Sequence, residues 1–304
     1  MLLIIIHQLM VMMVLVMIGF ILFKKKIVSQ EGNRSLSLIL LSVIVPATII
    51  NAYQIEYNAQ MAKLLGVAFI ASLVTQVLAV VLANIFIKKE SREAAINRFS
   101  IVYPNSAFIG IPLISAMVGS EGVFFLSAYI AIFNIFMFTH GVIVMKGSLS
   151  LENLKAGMLS PVIISTLLAV AMYFLQISLP SVLLQSVGFL ASTMTPLAML
   201  VAGFSIAQSD LTKIFGKMSI YLVSFVKSIL LPFITLGLLI AFSVDRNVAL
   251  AILIAVACPS AIANTTMAVK YDRNYIYASE VFTVNTIISL FTIPLVIFIA
   301  EMFI

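Results

Sequence analysis

Ten apolar stretches, each about as long as a bilayer is thick, leave this chain little room for any fold but a membrane one. About 20 apolar residues in helical form cross the hydrocarbon core. Such stretches fall at residues 3–23, 35–54, 64–87, 99–118, 122–145, 157–176, 181–207, 218–242, 248–269 and 279–300 of the 304. Composition agrees: 63% of the residues are hydrophobic and 9% charged. Soluble domains carry about 25% charge. The first stretch reads as a retained span, because its cluster Lys24-Lys25-Lys26 follows the apolar run.

The charges between the stretches set a topology. The connections after stretches 1, 3, 5, 7 and 9 hold 14 of the 17 Lys and Arg residues. The positive-inside rule places those connections in the cytoplasm and both termini outside. The net charge of +6 is therefore a topology signal and not a nucleic-acid footprint. Five is an odd number, so two successive five-span units, 1–145 and 157–304, would be inverted. The segment 146–156, "KGSLSLENLKA" with residue 156 last, would join them in the cytoplasm.

Each half repeats a rhythm of helix breakers. The second stretch of each carries a proline, Pro46 and Pro196. The fourth carries several: Pro104, Asn105, Gly110 and Pro112 in "YPNSAFIGIP", then Pro259 and Asn264 in "CPSAIANTT". Interrupted spans at matching places in inverted repeats point to a secondary transporter.

A break frees N–H groups on one half-helix and C=O groups on the other. In hydrocarbon these need partners. The N-terminal end of a half-helix favours an anion, and carbonyl ends favour a cation. The expectation is that Gly110 and Pro112 open the first broken span. Asn105 and Ser106 would line the gap, Gly110 would let another backbone approach, and Pro104 would only kink the entering half-helix. Pro259, Ser260, Asn264 and Thr265 are the matching candidates in the ninth stretch. Together they form a pocket for a small polar or anionic solute.

At these residues the sequence resembles the auxin efflux carrier family, which includes plant auxin exporters and bacterial permeases for malate and related acids. "NSAFIGIPL" (105–113) resembles the family's Asn-x-x-Phe-x-Gly-x-Pro pattern. "ACPSAIANTTMAVKY" (257–271), "IFNIFMFTHG" (132–141) and "VFTVNTIISLFTIPLV" (281–296) resemble its ninth, fifth and tenth spans. The resemblance covers the whole chain. It implies a ten-helix, five-plus-five inverted-repeat fold like that of sodium/bile-acid symporters, in the plasma membrane, the inner membrane of a bacterium. Spans 1, 2, 6 and 7 would form a scaffold that makes a homodimer. Spans 3–5 and 8–10 would form a moving unit, with spans 4 and 9 crossing at their breaks. The crossover Asn maps to Asn105 and the crossover proline to Pro112. Asn134 and Asn285, on spans beside the breaks, join the site. The chain departs from the plant members in having Asn264 where they carry a second proline, in lacking a long cytoplasmic loop, and in placing His140 before Gly141.

Among charged residues inside the stretches, Lys227 stands out. A central lysine costs about 2.5–3.5 kcal/mol on insertion scales. Two readings stand: a structural contact to a carbonyl, or a fixed cation that attracts an anion or replaces a coupling cation. No Asp or Glu sits centrally in a stretch. Glu280 is expected as a solvated charge near a cytoplasmic end, and His140 as an interfacial or capping residue near the inner face. The coupling ion, proton or sodium, stays open. The leading function is alternating-access transport of a small organic anion, a carboxylate or auxin-like weak acid. A channel or solute sensor on the same fold is the alternative. No cofactor or metal site is expected: there is one cysteine, Cys258, and no hydrolase, zinc-protease or nucleotide-binding motif. An intramembrane enzyme and an ATP-driven pump are therefore disfavoured.

Overall fold

The computed structural model describes residues 2–91, 93–149, 151–208 and 217–304. Arg92 and Lys213, counted among the loop charges, lie outside them. The described residues are helical, with no strand beyond one isolated bridge. Among the described residues, seven helices are long and apolar enough to cross a bilayer. They are α1 (Leu2–Lys24), α2 (Gln30–Ala52), α3 (Ala59–Phe86), α6 (Ser120–Lys146), α9 (Ser181–Ala207), α10 (Met218–Ala241) and α13 (Tyr275–Ala300). A bent pair, α7 (Leu151–Met158) and α8 (Pro161–Leu175), makes an eighth if counted as one, with a 48° bend. The remaining helices are short: α4 (Ala94–Val102), α5 (Ser106–Val118), α11 (Arg246–Ala257) and α12 (Ala263–Lys270). The protein is thus an all-helical, multi-pass membrane protein.

Several helices begin before the apolar stretch that announces them. Ser29 caps α2 through its hydroxyl, Asn58 caps α3, and Asn274 caps α13. A side-chain oxygen at the cap satisfies N–H groups the helix cannot, so the helix extends into polar sequence. Hydropathy does not register these first turns.

Prolines shape the interiors. Pro46, Pro112 and Pro232 each follow a five-residue π-turn: Leu40–Ile44, Ser106–Gly110 and Val226–Leu230. A proline ring clashes with the carbonyl four residues earlier and offers it no N–H. Widening the preceding turn moves that carbonyl aside while the chain stays helical.

Lipid tails supply no hydrophobic force between helices, so close packing must hold them together. α1 lies along the second half of α9 through two glycines. A Cβ on Gly19 would meet the Leu200 carbonyl oxygen at 2.4 Å, and one on Gly203 would meet that of Val16 at 2.1 Å. Only glycine permits backbones this close. The first half of α9, Ser181–Ser192, has no buried residue. By contrast, every residue of α11 from Val248 to Ala257 is buried. At 12 residues α11 spans about 18 Å, too short to cross a bilayer alone. It packs against α6, α10, α13 and α3.

Candidate functional site

Two helices stop in the middle of the protein and pair there. The chain leaves α4 at residues 103–105 and leaves α11 at residues 258–262. The two breaks run antiparallel and form a bridge between Pro104 and Ser260. The Asn105 N–H donates to the Pro259 carbonyl at 2.7 Å, and the Ala261 N–H donates to the Tyr103 carbonyl at 2.8 Å. Backbone groups released by one break are satisfied by the other. This answers how extended backbone survives inside a membrane fold.

The position of the first break corrects an expectation. Gly110 and Pro112 do not open the span: both lie in the helical run 106–118, beyond the gap. Pro104 sits in the gap itself. The reason is local. Pro112 is accommodated by the π-turn before it, whereas Pro104 holds Tyr103 in extended backbone, at φ −111° and ψ 98°. Gly110 does not serve backbone approach either. A Cβ there would meet the Cys258 Sγ at 3.5 Å and the Leu126 side chain at 3.6 Å, ordinary contacts.

The carbonyl ends of the two half-helices are capped from their neighbours. Gln76 on α3 donates from Nε2 to the Val102 carbonyl at 3.2 Å. Lys227 on α10 donates from Nζ to the Val256 carbonyl at 3.0 Å. Both side chains are fully buried. An ammonium at a helix C-terminus meets the negative end of the dipole. Across the gap, the Ser260 hydroxyl donates to the Ser100 carbonyl at 3.0 Å, and the Asn264 Nδ2 donates to the Ser100 hydroxyl at 2.5 Å.

Several polar atoms in the gap have no protein partner. They include Asn105 Nδ2, Ser106 Oγ and Asn264 Oδ1, with Gln76 Oε1 beside them. Asn105 begins α5 without a side-chain cap. Buried polar groups without partners are costly. Asn105 and Ser106 stand at the start of a half-helix, the end whose free N–H groups and dipole favour negative charge.

The other expected site residues are placed as follows. Thr265 is half-buried on the first turn of α12. Asn285 is buried and donates to the Ser224 hydroxyl at 3.2 Å, tying α13 to α10. Asn134 is buried and bonds within its own helix, to Ile130 at 2.7 Å. His140 is half-buried, its Nδ1 2.9 Å from the Tyr103 hydroxyl. Glu280 is a correction. It is 2% exposed and paired with Lys217, so it is no solvated end charge. The fold brings Lys217, at the start of α10, over α13, a pairing across 63 residues that hydropathy does not encode. Neither Gln76 nor Ser100 is among the site residues expected from the sequence. Their signal was slight: two polar residues in apolar stretches beside a break.

Together these features define an integral membrane protein built around two paired, interrupted helices. The membrane transport protein family matches the chain twice, over residues 4–156 and 148–297. The chain belongs to that family, the auxin efflux carrier family, whose members are transporters. No protein of curated function matches it.

Proposed function

We propose that the protein is a secondary transporter that moves a small organic anion by alternating access, with the substrate at the paired breaks. The observation that carries this reading is the antiparallel pairing of two broken helices in a membrane transport family. α4 with α5, and α11 with α12, each count as one interrupted crossing. With the seven long helices and α8 they make ten, arranged as inverted five-helix units 1–145 and 157–304 joined by 146–156. Positive connections place the odd loops in the cytoplasm and the termini outside.

α1, α2, α8 and α9 form the scaffold, and the rest form the moving unit. Support comes from the glycine-mediated contact of α1 with α9 and from packing of α2 against α8 and α9. The bare first half of α9 suits a homodimer contact.

In the substrate pocket, Asn105, Ser106 and the first N–H groups of α5 receive the anion. Ser260, Asn264 and Thr265 close it from the other arm. Gly110 and Pro112 shape the helix behind Asn105, and Pro259 lends its carbonyl to the bridge. Asn285 ties α13 to α10 beside the site, and Asn134 adds an amide on α6. Lys227 supplies a fixed positive charge behind the gap, and Glu280, paired with Lys217, and His140 are the candidate coupling groups. Lys227 favours an anion without a metal cation.

Uptake of labelled carboxylates and indole acids into proteoliposomes, with imposed proton or sodium gradients, tests the proposal. Saturable flux with counterflow is expected, and flux without saturation would favour a channel. Asn105→Ala is expected to abolish uptake and ligand-induced thermal stabilisation while the protein stays folded. Survival of both would place the site elsewhere.

A further inference from the structure

A polar cavity lies away from the paired breaks, at the end of the molecule where α3, α4 and α6 meet the turn after α12. Its volume is about 420 Å³. Lys89, Arg98 and Arg273 line it, with His140, and among the described lining residues Glu93 is the one carboxylate. Each arginine is anchored on a helix end. Arg98 donates to the Ile87 carbonyl at 2.6 Å and 3.2 Å, and Arg273 to the Met145 carbonyl at 2.9 Å. A guanidinium has five N–H donors, so the anchors fix the groups and leave donors over. Glu93 accepts from the Asn274 amide at 2.9 Å and does not cap α4, whose first turn also lines the cavity. Three cations and an uncapped helix start thus face one space with a single, engaged carboxylate.

The same cavity borders the lipid surface. Asn84 and Ile143 belong to its lining, and Ile143 and the adjacent Ile85 are 44% and 67% exposed. Apolar side chains flank it where acyl chains would lie, and cations fill it where a headgroup would lie. We propose that this cavity binds the phosphate of an anionic phospholipid headgroup, with the acyl chains running along α3 and α6. Basic pockets between membrane helices recognise such headgroups. The orientation above places it in the cytoplasmic leaflet. The cavity lies on helices assigned to the moving unit, so a lipid bound there would travel with it and would bias its position only by binding the two states unequally.

The test uses full-length protein in detergent, followed by native mass spectrometry and thermal shift. Probes are phosphatidylglycerol, phosphatidylcholine and inorganic phosphate. Phosphatidylglycerol is expected to bind saturably and raise Tm, and phosphatidylcholine is not. Lys89→Gln touches no anchor and is expected to weaken binding about fivefold; Lys89→Gln with Arg273→Lys, which keeps a donor for Met145, is expected to weaken it further. Equal stabilisation by both lipids, or unchanged phosphatidylglycerol binding in both variants, would overturn the site. An equal response to inorganic phosphate would overturn the lipid source. None of these readouts depends on transport, so failure here leaves the transport reading standing.

Discussion

The two arms of the paired break are built alike and finished differently. Each has a half-helix whose last carbonyls point at the gap, and each is capped by a buried side chain from the helix before it. On the first arm the cap is the neutral amide of Gln76 on Val102. On the second it is the ammonium of Lys227 on Val256. Satisfying a carbonyl needs only a donor, so the amide suffices for the fold. The second arm uses a side chain able to carry charge, in a place where a cation is expensive. The difference separates what the architecture requires from what the proposed chemistry uses.

Placing a cation on both arms is the strongest way to break the comparison. Gln76→Lys adds a second buried charge and is expected to cost about 2.5–3.5 kcal/mol. Membrane yield and Tm should fall sharply; an unchanged Tm would mean that the arms tolerate charge equally. Removing the existing charge comes next. At an effective dielectric of about 20, a nearby unit charge attracts a bound anion by roughly 1–4 kcal/mol, and each 1.4 kcal/mol is tenfold in affinity. Lys227→Met should therefore raise the apparent KM for an organic anion at least severalfold, and Lys227→Gln should do the same while keeping an N–H donor on the side chain. Normal uptake in both variants would reduce Lys227 to a cap.

Gln76→Leu sharpens the other side. It leaves the Val102 carbonyl without its side-chain partner and is expected to cost about 0.5–1.5 kcal/mol in stability. The orphaned Gln76 Oε1 disappears with it, which pulls the cost to the low end. Uptake by folded protein should change little. The smallest effect is expected at Gly110, where the first arm touches the second. Gly110→Ala meets only contacts of 3.5 Å or more and improves helix propensity by about 1 kcal/mol. Its Tm should stay level or rise slightly, and a large drop would show that the arms must approach more closely than this state does.

Much of this protein was legible along the chain. Hydropathy located the long helices because burial in lipid demands continuous apolar sequence. The breakers in "YPNSAFIGIP" and "CPSAIANTT" marked both interruptions, since proline and small polar residues are costly in a membrane helix unless something compensates. The exact opening was not legible. Pro112 was expected to open the span and Pro104 only to kink it, yet Pro112 is absorbed by a π-turn and Pro104 opens the chain. That outcome depends on a partner segment 156 residues further on, Ser260 against Pro104.

The sequence by itself determined that the chain is a membrane protein, roughly where its helices run, and which two of them are interrupted. These follow from single-residue transfer energies and backbone sterics, which act locally. The tertiary structure alone decided which carbonyl each cap reaches, that Glu280 lies buried against Lys217, and that Arg98 and Arg273 converge on one cavity. Hydrogen bonds and charge pairs act over a few ångströms, and only folding brings residues so far apart in the chain within that range.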